Sequence, residues 1–593
     1  MPVVRRGYKS VHKSMQGPQP LPRLLLSLVF NPDVMKKIIL LLFVIIAICA
    51  CKQKPVTVIA EWVPYDESSE LADNANHESA RMRFKLIQSQ VLDKNEMWKS
   101  AADQIKGFSE EDYQRLMPLI LEQSIPVVQS HIRSGELTYE QLTMWFIYRI
   151  VKYENDRSTM LNAIVAINPN AVKEAREKDK KRSAVKRQSA GTQNSDENNQ
   201  SAENRQSAEN HPIYGMPILV KDNVNVGGMP TTAGTHLLKD NFAPDAEIIE
   251  RIKENGGIII GKTNLSEWAN YLFTGGPNGF SAVGGQTLNA YGRRVFDTGG
   301  SSSGSGVAMA ANFAMAAIGT ETSGSILSPS GKSSLVGLKP TIGLLSTNGI
   351  IPLSSTLDTP GPMTRNVVDN AILLSAMGAK NISPELPENA TLQGMRFGVN
   401  KSLLADSLYR ENVEKIVSNG GIAIEFEPVA IDFNGFVNLL SADMKVDLPQ
   451  YLDKYAAKQI TARTIEDIIE YNKQDSLIRI PYGQAIFKGM ALVNLKPEEL
   501  VELRERLHSE GKRFFETPMA EHQLDAILSI DNLNASHAAA AKYPCITVPM
   551  GYTKKGQPIG ITFIARPNRE DMLLKMAYAF EQATKARKPA PLK

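Results

Sequence analysis

The sequence predicts a layered α/β protein built as one large domain, because short apolar runs alternate with amphipathic stretches. The runs at 218–220 and 258–260 have the length of buried strands, and apolar side chains over 119–132 recur at helical spacing. A capping-box pattern that starts at Thr138 predicts the beginning of another helix. Strands that alternate with helices are typical of a layered α/β architecture. No clear linker interrupts residues 86–590, so we predict a single domain there.

Later elements continue the alternation. An alanine-rich stretch over 307–317 predicts a helix, and the runs at 546–548 and 561–564 predict strands. Asn568 can cap a final helix, whose apolar positions follow at helical spacing.

Composition narrows the classes of function. The 593 residues are 42% apolar and 22% charged, as in ordinary globular proteins, and a net charge of +3 gives no global indication of a nucleic-acid partner. The three cysteines, Cys49, Cys51 and Cys545, cannot form a disulfide framework, and no Cys-x-x-Cys pair is present. The eight histidines are scattered and lack a metal-binding spacing. We therefore predict neither a metal nor another cofactor.

The N-terminus has the pattern of an export signal. Two lysines precede an apolar run over 38–48, which is short for a membrane span but suits a signal peptide. The next residues resemble a bacterial lipobox, in which Cys51 is acylated and becomes the mature N-terminus. We predict a signal region over 1–51, best read from Met35, and a lipoprotein attached to a membrane of the bacterial cell envelope. An uncleaved anchor that also uses the run at 24–30 is the alternative.

Two polar segments are predicted to lack regular structure. Residues 52–85 are rich in Glu, Asp, Ser and Asn, which predicts a linker. Residues 183–210 contain two near-repeats of QSAEN and carry too little apolar area to offset the entropy of ordering. We predict a disordered surface insertion there. The adjoining basic run over 176–187 is predicted to be a solvated face rather than a binding patch.

The first of three competing motifs is a phosphate-binding pattern. Residues 256–263 (GGIIIGKT) satisfy G-x-x-x-x-G-K-[ST], and residues 526–531 could serve as the partnering acidic strand. A phosphate-cradling loop needs a backbone that turns its N–H groups inward. Three consecutive isoleucines favour an extended, buried strand instead. We therefore predict a strand rather than a nucleotide site.

The second motif is a nucleophile elbow. Residues 300–304 (GSSSG) match G-x-S-x-G, which makes Ser302 a candidate nucleophile. His508, His522 and His537 follow it in the chain, but nothing around them specifies a catalytic partner. Ser302 is the weaker candidate, because this pattern arises easily in a stretch so rich in glycine and serine.

The third motif is a set of three segments. Lys221 lies in GMPILVKDN (215–223), a serine cluster forms GGSSSG (299–304), and Ser325 ends GTETSGS. Taken singly, a surface lysine, a flexible linker and a tight turn explain them. Together with their surroundings they resemble the amidase signature family, and the likeness runs from about Leu161 to the C-terminus. Five further segments fit the same family, namely 261–267, 285–289, 336–341, 358–363 and 543–551.

The resemblance implies a fold, an activity and roles for named residues. The fold is a large mixed, twisted β-sheet with helices on both faces, and the activity is hydrolysis of a carboxylic or peptide amide to a carboxylate and ammonia or an amine. Ser325 is then the nucleophile that forms an acyl-enzyme, Lys221 the base, and Ser301, which follows a cis peptide bond, the proton relay. A protonated amine accepts no proton, so Lys221 must be kept neutral by burial. The oxyanion hole is expected from the backbone N–H groups of Thr322, Ser323, Gly324 and Ser325.

Three positions depart from the family pattern. Glu321 stands where many members have Asp, Ser323 where glycine or an acid is common, and Leu327 where arginine is common. This version is similar to the bacterial peptide-amidase branch, which releases ammonia from C-terminal peptide amides. Any contact that the arginine makes in relatives cannot be carried over to Leu327.

Two other functions remain as alternatives. One is the glutaminase component of a tRNA-dependent amidotransferase, which needs partner subunits and a cytoplasmic charged tRNA, so the export signal argues against it. The other is an inactive amidase-like binding protein, although all three catalytic residues are present. The expected partner is a small-molecule amide or peptide amide, without nucleic acid. Nothing over 386–534 indicates which amide, and the sequence does not indicate the oligomeric state.

Overall fold

The structure is a computed structural model that describes Lys36 and residues 59–190, 210–387 and 389–592. The signal region predicted over 1–51, apart from that one lysine, lies outside the described residues, and so do Met35, Cys51 and residues 191–209 of the predicted insertion. Val56–Lys593 forms one compact unit, which agrees with the prediction of a single large domain. Among the described helices, none has the length and apolar character needed to cross a membrane.

The apolar runs of the sequence become strands of one large sheet. The described strands are β1 Ile164–Ile167, β2 Pro217–Lys221, β3 Ile258–Thr263, β4 Phe280–Ser281, β5 Gly285–Gln286, β6 Ala316–Glu321, β7 Val336–Lys339, β8 Thr359–Thr364, β9 Arg396–Asn400, β10 Ile422–Phe426, β11 Ala526–Ile530, β12 Cys545–Tyr552 and β13 Pro558–Ile564. Eleven of them form a sheet in the order β1-β3-β2-β6-β8-β7-β12-β13-β11-β9-β10, and β4 pairs with β5. The runs at 218–220, 258–260, 546–548 and 561–564 are all strands, as predicted.

The sheet is mixed and covered on both faces. Strand β2 runs parallel to β3 and β6, whereas β6 is antiparallel to β8, and β12 is antiparallel to β7 and β13. Every residue of β2, β3, β6 and β8 is buried. Because successive side chains of a strand point to opposite faces, continuous burial requires cover on both sides. This is the fold class that the sequence predicts.

Helices supply that cover. They are α1 Ser68–Asn74, α2 Lys94–Ala102, α3 Glu110–Ile120, α4 Ile125–Ser134, α5 Tyr139–Glu154, α6 Ala171–Ala190, α7 Glu247–Glu254, α8 Glu267–Asn270, α9 Ser303–Ala310, α10 Leu327–Lys332, α11 Val367–Ala376, α12 Ser407–Ser418, α13 Phe436–Tyr455, α14 Ile465–Lys473, α15 Ser476–Arg479, α16 Ala485–Leu492, α17 Pro497–Glu521, α18 Ala535–Ala541 and α19 Glu570–Thr584.

Helix α5 begins at the predicted capping box. Thr138 Oγ1 accepts a hydrogen bond from the amide of Gln141 (3.1 Å), and Gln141 Oε1 accepts one from the amide of Thr138 (3.1 Å). Each bond satisfies an N–H group that the first helical turn leaves without an intrahelical partner. The apolar positions over 119–132 lie in and between α3 and α4, where Ile125 and Ile132 are buried.

The predicted linker over 52–85 is packed in its described part. Met82 is buried, and Asn74 Nδ2 donates to the carbonyl oxygens of Met82 (3.0 Å) and Arg294 (2.9 Å). Residues 59–85 are therefore not a linker. A few apolar side chains and one buried amide attach this polar segment to the domain.

The predicted insertion also begins later than its composition indicates. Helix α6 continues to Ala190, eight residues into the segment 183–210. Its Lys, Arg, Glu and Ala residues favour helix intrinsically, so the helix extends although little apolar surface supports it. The remainder, 191–209, lies outside the described residues.

Candidate active site

The fold brings the three predicted catalytic side chains to one edge of the sheet. Lys221 is the last residue of β2, and β6 beside it ends four residues before Ser325. Since β2 and β6 are parallel neighbours, their carboxyl ends reach the same edge. Ser301 lies just before α9, and the amide of Ser302 donates to the carbonyl oxygen of Ser325 (3.1 Å). This backbone bond joins the loop that carries Ser301 to the loop that carries Ser325.

The amine of Lys221 is buried among uncharged oxygen atoms. Its Nζ lies 2.8 Å from Ser301 Oγ, 2.8 Å from Thr320 Oγ1 and 3.2 Å from the carbonyl oxygen of Thr320. Burial lowers the pKa of Lys221 to about 7, and the negative charges of Asp358 and Glu321 oppose this shift without cancelling it. A large fraction of this amine is therefore neutral near neutral pH and able to accept a proton.

Ser301 is held in place by its backbone. The peptide bond between Gly300 and Ser301 is cis, as the resemblance implies. The carbonyl oxygen of Ser301 accepts a hydrogen bond from the amide of Ser266 (3.0 Å), and the side chain is buried. Its hydroxyl therefore faces Lys221 from a fixed position.

Ser325 differs from the other two in being partly exposed. Within the described part of the chain its hydroxyl has no hydrogen-bond partner, so the oxygen is available to a substrate. The preceding Gly324 has a φ of 93°, and a Cβ on it would lie 2.9 Å from Asn532 Nδ2. Glycine is required at this turn on both counts.

Glu321 holds the loop that Ser325 ends. Its Oε2 accepts hydrogen bonds from the amides of Ile326 (2.7 Å) and Leu327 (3.0 Å), and the amide of Gly324 is also directed to this carboxylate. Burial raises the pKa of Glu321. The amide of Gly324 is thus engaged inside the loop, unlike the other predicted oxyanion donors. Within the described residues, no acceptor binds the amides at 322, 323 and 325.

Two side chains outside the loop fix its other flank. Thr322 Oγ1 donates to Asp358 Oδ1 (2.5 Å), and the hydroxyls of Ser323 and Ser536 lie 2.7 Å apart. Burial raises the pKa of Asp358 to about 6. Sequence reasoning did not assign roles to Thr320, Asp358 or Ser536. Of these, only Asp358 carried a signal, because it begins the segment 358–363 that fits the family.

A small cavity borders this site. It has a volume of about 250 Å³, and its lining includes Asn223, Thr320, Thr322 and Asp358. Asp358 is the one ionisable residue of the lining, and its carboxylate is already occupied by hydrogen bonds from Thr322 and from backbone amides. The cavity therefore suits a neutral polar group.

The phosphate-binding pattern is a buried strand. Lys262 lies in β3 with no exposed surface, and its Nζ is 3.1 Å from Asp222 Oδ1. It also donates to the carbonyl oxygen of Val224 (2.8 Å) and to Thr231 Oγ1 (2.9 Å). With these partners the amine is fully engaged, which confirms the strand interpretation.

The elbow serine is also engaged. Ser302 is buried, and its Oγ donates to the carbonyl oxygen of Thr320 (3.1 Å) and accepts from the amide of Thr320 (3.2 Å). No described histidine is hydrogen-bonded to it. His508 contacts the carbonyl oxygen of Ala540 instead (2.8 Å). No group of three or more His, Cys, Asp or Glu side chains in the described ranges is arranged to hold a metal ion.

Leu327 is a core residue. It is 1% exposed and belongs to an apolar cluster with Phe515, Tyr543 and Cys545. The position at which relatives commonly carry arginine is therefore apolar and enclosed here.

Comparison with known proteins now decides the family. The profile that defines the amidase family, described as Amidase, matches residues 175–574. The chain belongs to the amidase family. It is accordingly an enzyme that hydrolyses amides. A probable amidase from Arabidopsis thaliana is 30% identical over 499 residues, which cover 79% of this chain and 91% of the relative.

Solved amidases share the fold. An amidase family protein from Bacillus anthracis superimposes with a TM-score of 0.76 at 33% identity, covering 85% of this amidase and all of that chain. The native peptide amidase from Stenotrophomonas maltophilia gives a TM-score of 0.70 at 32% identity, covering 80% and 99%. The glutaminase-type component of a glutamyl-tRNA(Gln) amidotransferase from Exiguobacterium is 30% identical but covers 63% of this chain and 85% of the relative.

Proposed function

We propose that this amidase hydrolyses its substrate through an acyl-enzyme on Ser325, with Lys221 as the base and Ser301 as the proton relay. The observation that carries the proposal is the 2.8 Å contact between the buried Nζ of Lys221 and Ser301 Oγ. A lysine with a pKa of about 7 can act as a base near neutral pH, whereas an exposed lysine cannot.

Acylation begins with two proton transfers. Lys221 Nζ takes the hydroxyl proton of Ser301, and Ser301 Oγ takes the proton of Ser325. Ser325 Oγ then forms a C–O bond to the carbonyl carbon of the amide, and the carbonyl π electrons move to oxygen. The free amides at 322, 323 and 325 are the proposed donors to this oxyanion, and each such donor is typically worth about a hundredfold in rate.

Collapse of the oxyanion completes the cycle. The C–N bond breaks, and the leaving nitrogen receives the proton back from Lys221 through Ser301. Water, deprotonated by the same pair, attacks the ester carbon and releases the carboxylate and Ser325.

The proposed substrate class is carboxamides, and C-terminal peptide amides in particular. Peptide amides are proposed because the peptide amidase named above is similar over 99% of its length. The glutaminase alternative is less favoured, because the amidotransferase component covers 63% of this chain and the plant amidase 79%.

We also propose that the enzyme is an exported lipoprotein acylated on Cys51. The support is the apolar run over 38–48 followed by the lipobox-like segment, which lies outside the described residues. Metabolic labelling with a radioactive fatty acid tests it, since label should enter the wild-type chain and not Cys51→Ala. Equal labelling of both chains would contradict this site.

The test of the chemistry combines a covalent probe with turnover. A fluorophosphonate should label the wild-type chain, and ammonia should be released from a panel of aliphatic, aryl and peptide amides. Ser325→Ala should abolish both signals. Labelling of Ser325→Ala at the wild-type rate would remove Ser325 as the nucleophile. A folded wild-type chain that neither labels nor turns over would favour the binding-protein alternative.

A further inference from the structure

A turn over residues 353–358 lies between the oxyanion loop and two helices that come much later in the chain. On the side of the loop, Asp358 Oδ1 accepts the hydroxyl proton of Thr322 (2.5 Å). Its Oδ2 accepts hydrogen bonds from the amides of Leu353 (2.8 Å) and Ser354 (3.0 Å). One carboxylate therefore ties the position of Thr322 to the shape of the turn.

The opposite side of the turn is held by Asp443 of α13. Its Oδ2 accepts from the hydroxyls of Ser354 (2.5 Å) and Thr356 (2.6 Å), and those two hydroxyl oxygens lie 3.0 Å apart. Its Oδ1 accepts from Arg504 Nη2 of α17 (2.6 Å). Asp447, one turn further along α13, accepts from the amide of a third residue of the turn, at position 355 (2.7 Å).

Burial makes this arrangement demanding. The side chain of Asp443 has no exposed surface, whereas that of Arg504 is 32% exposed. A buried carboxylate is stable only when its charge is paired and its oxygens are hydrogen-bonded. The two hydroxyls and the guanidinium supply these partners, so the side chains of the turn cannot rotate away without leaving the charge unsatisfied.

We propose that Asp443 is a positioning residue for catalysis, which acts through the turn to fix the amide of Thr322 as an oxyanion donor. The inference rests on the proposed role of the 319–325 loop. It gives a catalytic part to the helices α13 and α17, in a region where the sequence shows no diagnostic pattern. Contacts that a substrate or a sequence change makes with these helices are thereby coupled to the rate of acylation.

Asp443→Asn in the full chain tests the proposal, because it keeps the side-chain volume and removes the charge. We expect kcat for a carboxamide to fall at least about tenfold with KM changed less than about threefold, since the oxyanion forms only in the transition state. The matched control is Asp432→Asn. Asp432 pairs with Arg506, also on α17, at 2.8 Å in an exposed ion pair. It should leave kcat and KM unchanged.

A second variant locates the route of the effect. Thr322→Val removes the hydroxyl that Asp358 holds. If Asp443 acts through this hydroxyl, the double variant Asp443→Asn/Thr322→Val should lose no more rate than the worse single variant. Losses that multiply would overturn the route through the turn. If Asp443→Asn does not fold, Ser354→Ala and Thr356→Val test the same contacts.

Hydrogen exchange gives a readout that does not require turnover. The peptide that contains residues 319–327 should exchange faster in Asp443→Asn than in the wild-type chain or in Asp432→Asn. Wild-type exchange and wild-type kcat in Asp443→Asn would overturn the proposal while leaving the function intact. A wild-type chain that hydrolyses no amide contradicts the proposed function instead, and the exchange result then decides the structural link by itself.

Discussion

The amide of Ser302 donates to the carbonyl oxygen of Ser325 at 3.1 Å, so the two serine-bearing loops are joined through backbone rather than through their catalytic side chains. Substitution of either hydroxyl leaves this bond in place. Ser301→Ala should therefore lower kcat by at least about a hundredfold, the usual scale for a proton-transfer group, with the fold retained. Ammonia release and urea unfolding measure the two properties. Near-wild-type turnover would show that protons reach Lys221 by another route.

The pH dependence of turnover should follow Lys221. Burial lowers its pKa to about 7. Because the neutral amine is the base, kcat/KM should be low at pH 5, rise through pH about 7 and reach a plateau above it. Lys221→Met should abolish turnover at every pH. A kcat/KM profile that is flat or falls as pH rises would exclude this base.

Thr320 offers a way to move that profile. Its Oγ1 accepts a hydrogen bond from Lys221 Nζ (2.8 Å), which favours the charged amine. Thr320→Val removes this acceptor, so the pKa of Lys221 should fall and the rising limb should shift to lower pH. The same kcat/KM profile measures the shift. A limb displaced to higher pH would contradict the assignment of the titration to this lysine.

The buried pair of Lys262 and Asp222 should be structural. Removing one partner of a buried ion pair leaves the other charge uncompensated, so Lys262→Met should lower the free energy of unfolding by about 3–5 kcal/mol. The double variant Lys262→Met/Asp222→Asn should recover part of this loss. Urea denaturation measures both. Saturable binding of ATP with magnesium by the wild-type chain would instead restore the phosphate-site interpretation.

Leu327 should reject the arginine that is common in relatives. The site is 1% exposed and lined by Phe515, Tyr543 and Cys545. An arginine there would be buried without a charge partner, so Leu327→Arg should lower the free energy of unfolding by about 3–5 kcal/mol. Leu327→Met, which conserves volume, should cost less than about 1.5 kcal/mol. A Leu327→Arg chain that unfolds at the wild-type urea concentration would show that the cluster can open to admit the charge.

Local pattern was sufficient for some of this fold. The apolar runs that became β2 and β3 and the capping box at Thr138 depend on neighbouring residues alone, and the sequence predicts them. The helix predicted over 307–317 is wrong in its second half, since α9 ends at Ala310 and β6 begins at Ala316. There the demand for a strand between β2 and β8 overrides the helix preference of alanine.

The candidate site divides in the same way. Lys221, Ser301 and Ser325 lie in short segments whose residues can be matched directly. Asp443 acts on residues about ninety positions earlier in the chain, and Ser536 contacts a loop more than two hundred positions earlier. Such contacts depend on how the helices pack on the sheet, which no periodicity or spacing in one sequence specifies.

Burial of Lys221 also determines how the enzyme can be handled chemically. A lowered pKa makes its amine the more nucleophilic one at neutral pH, but the side chain has no exposed surface. Lys555, by contrast, is 76% exposed. Amine-directed coupling to a solid support requires that the reagent reach the nitrogen, so access rather than reactivity selects the lysine. The protein can be immobilised through surface amines such as Lys555 while its proposed base stays unmodified.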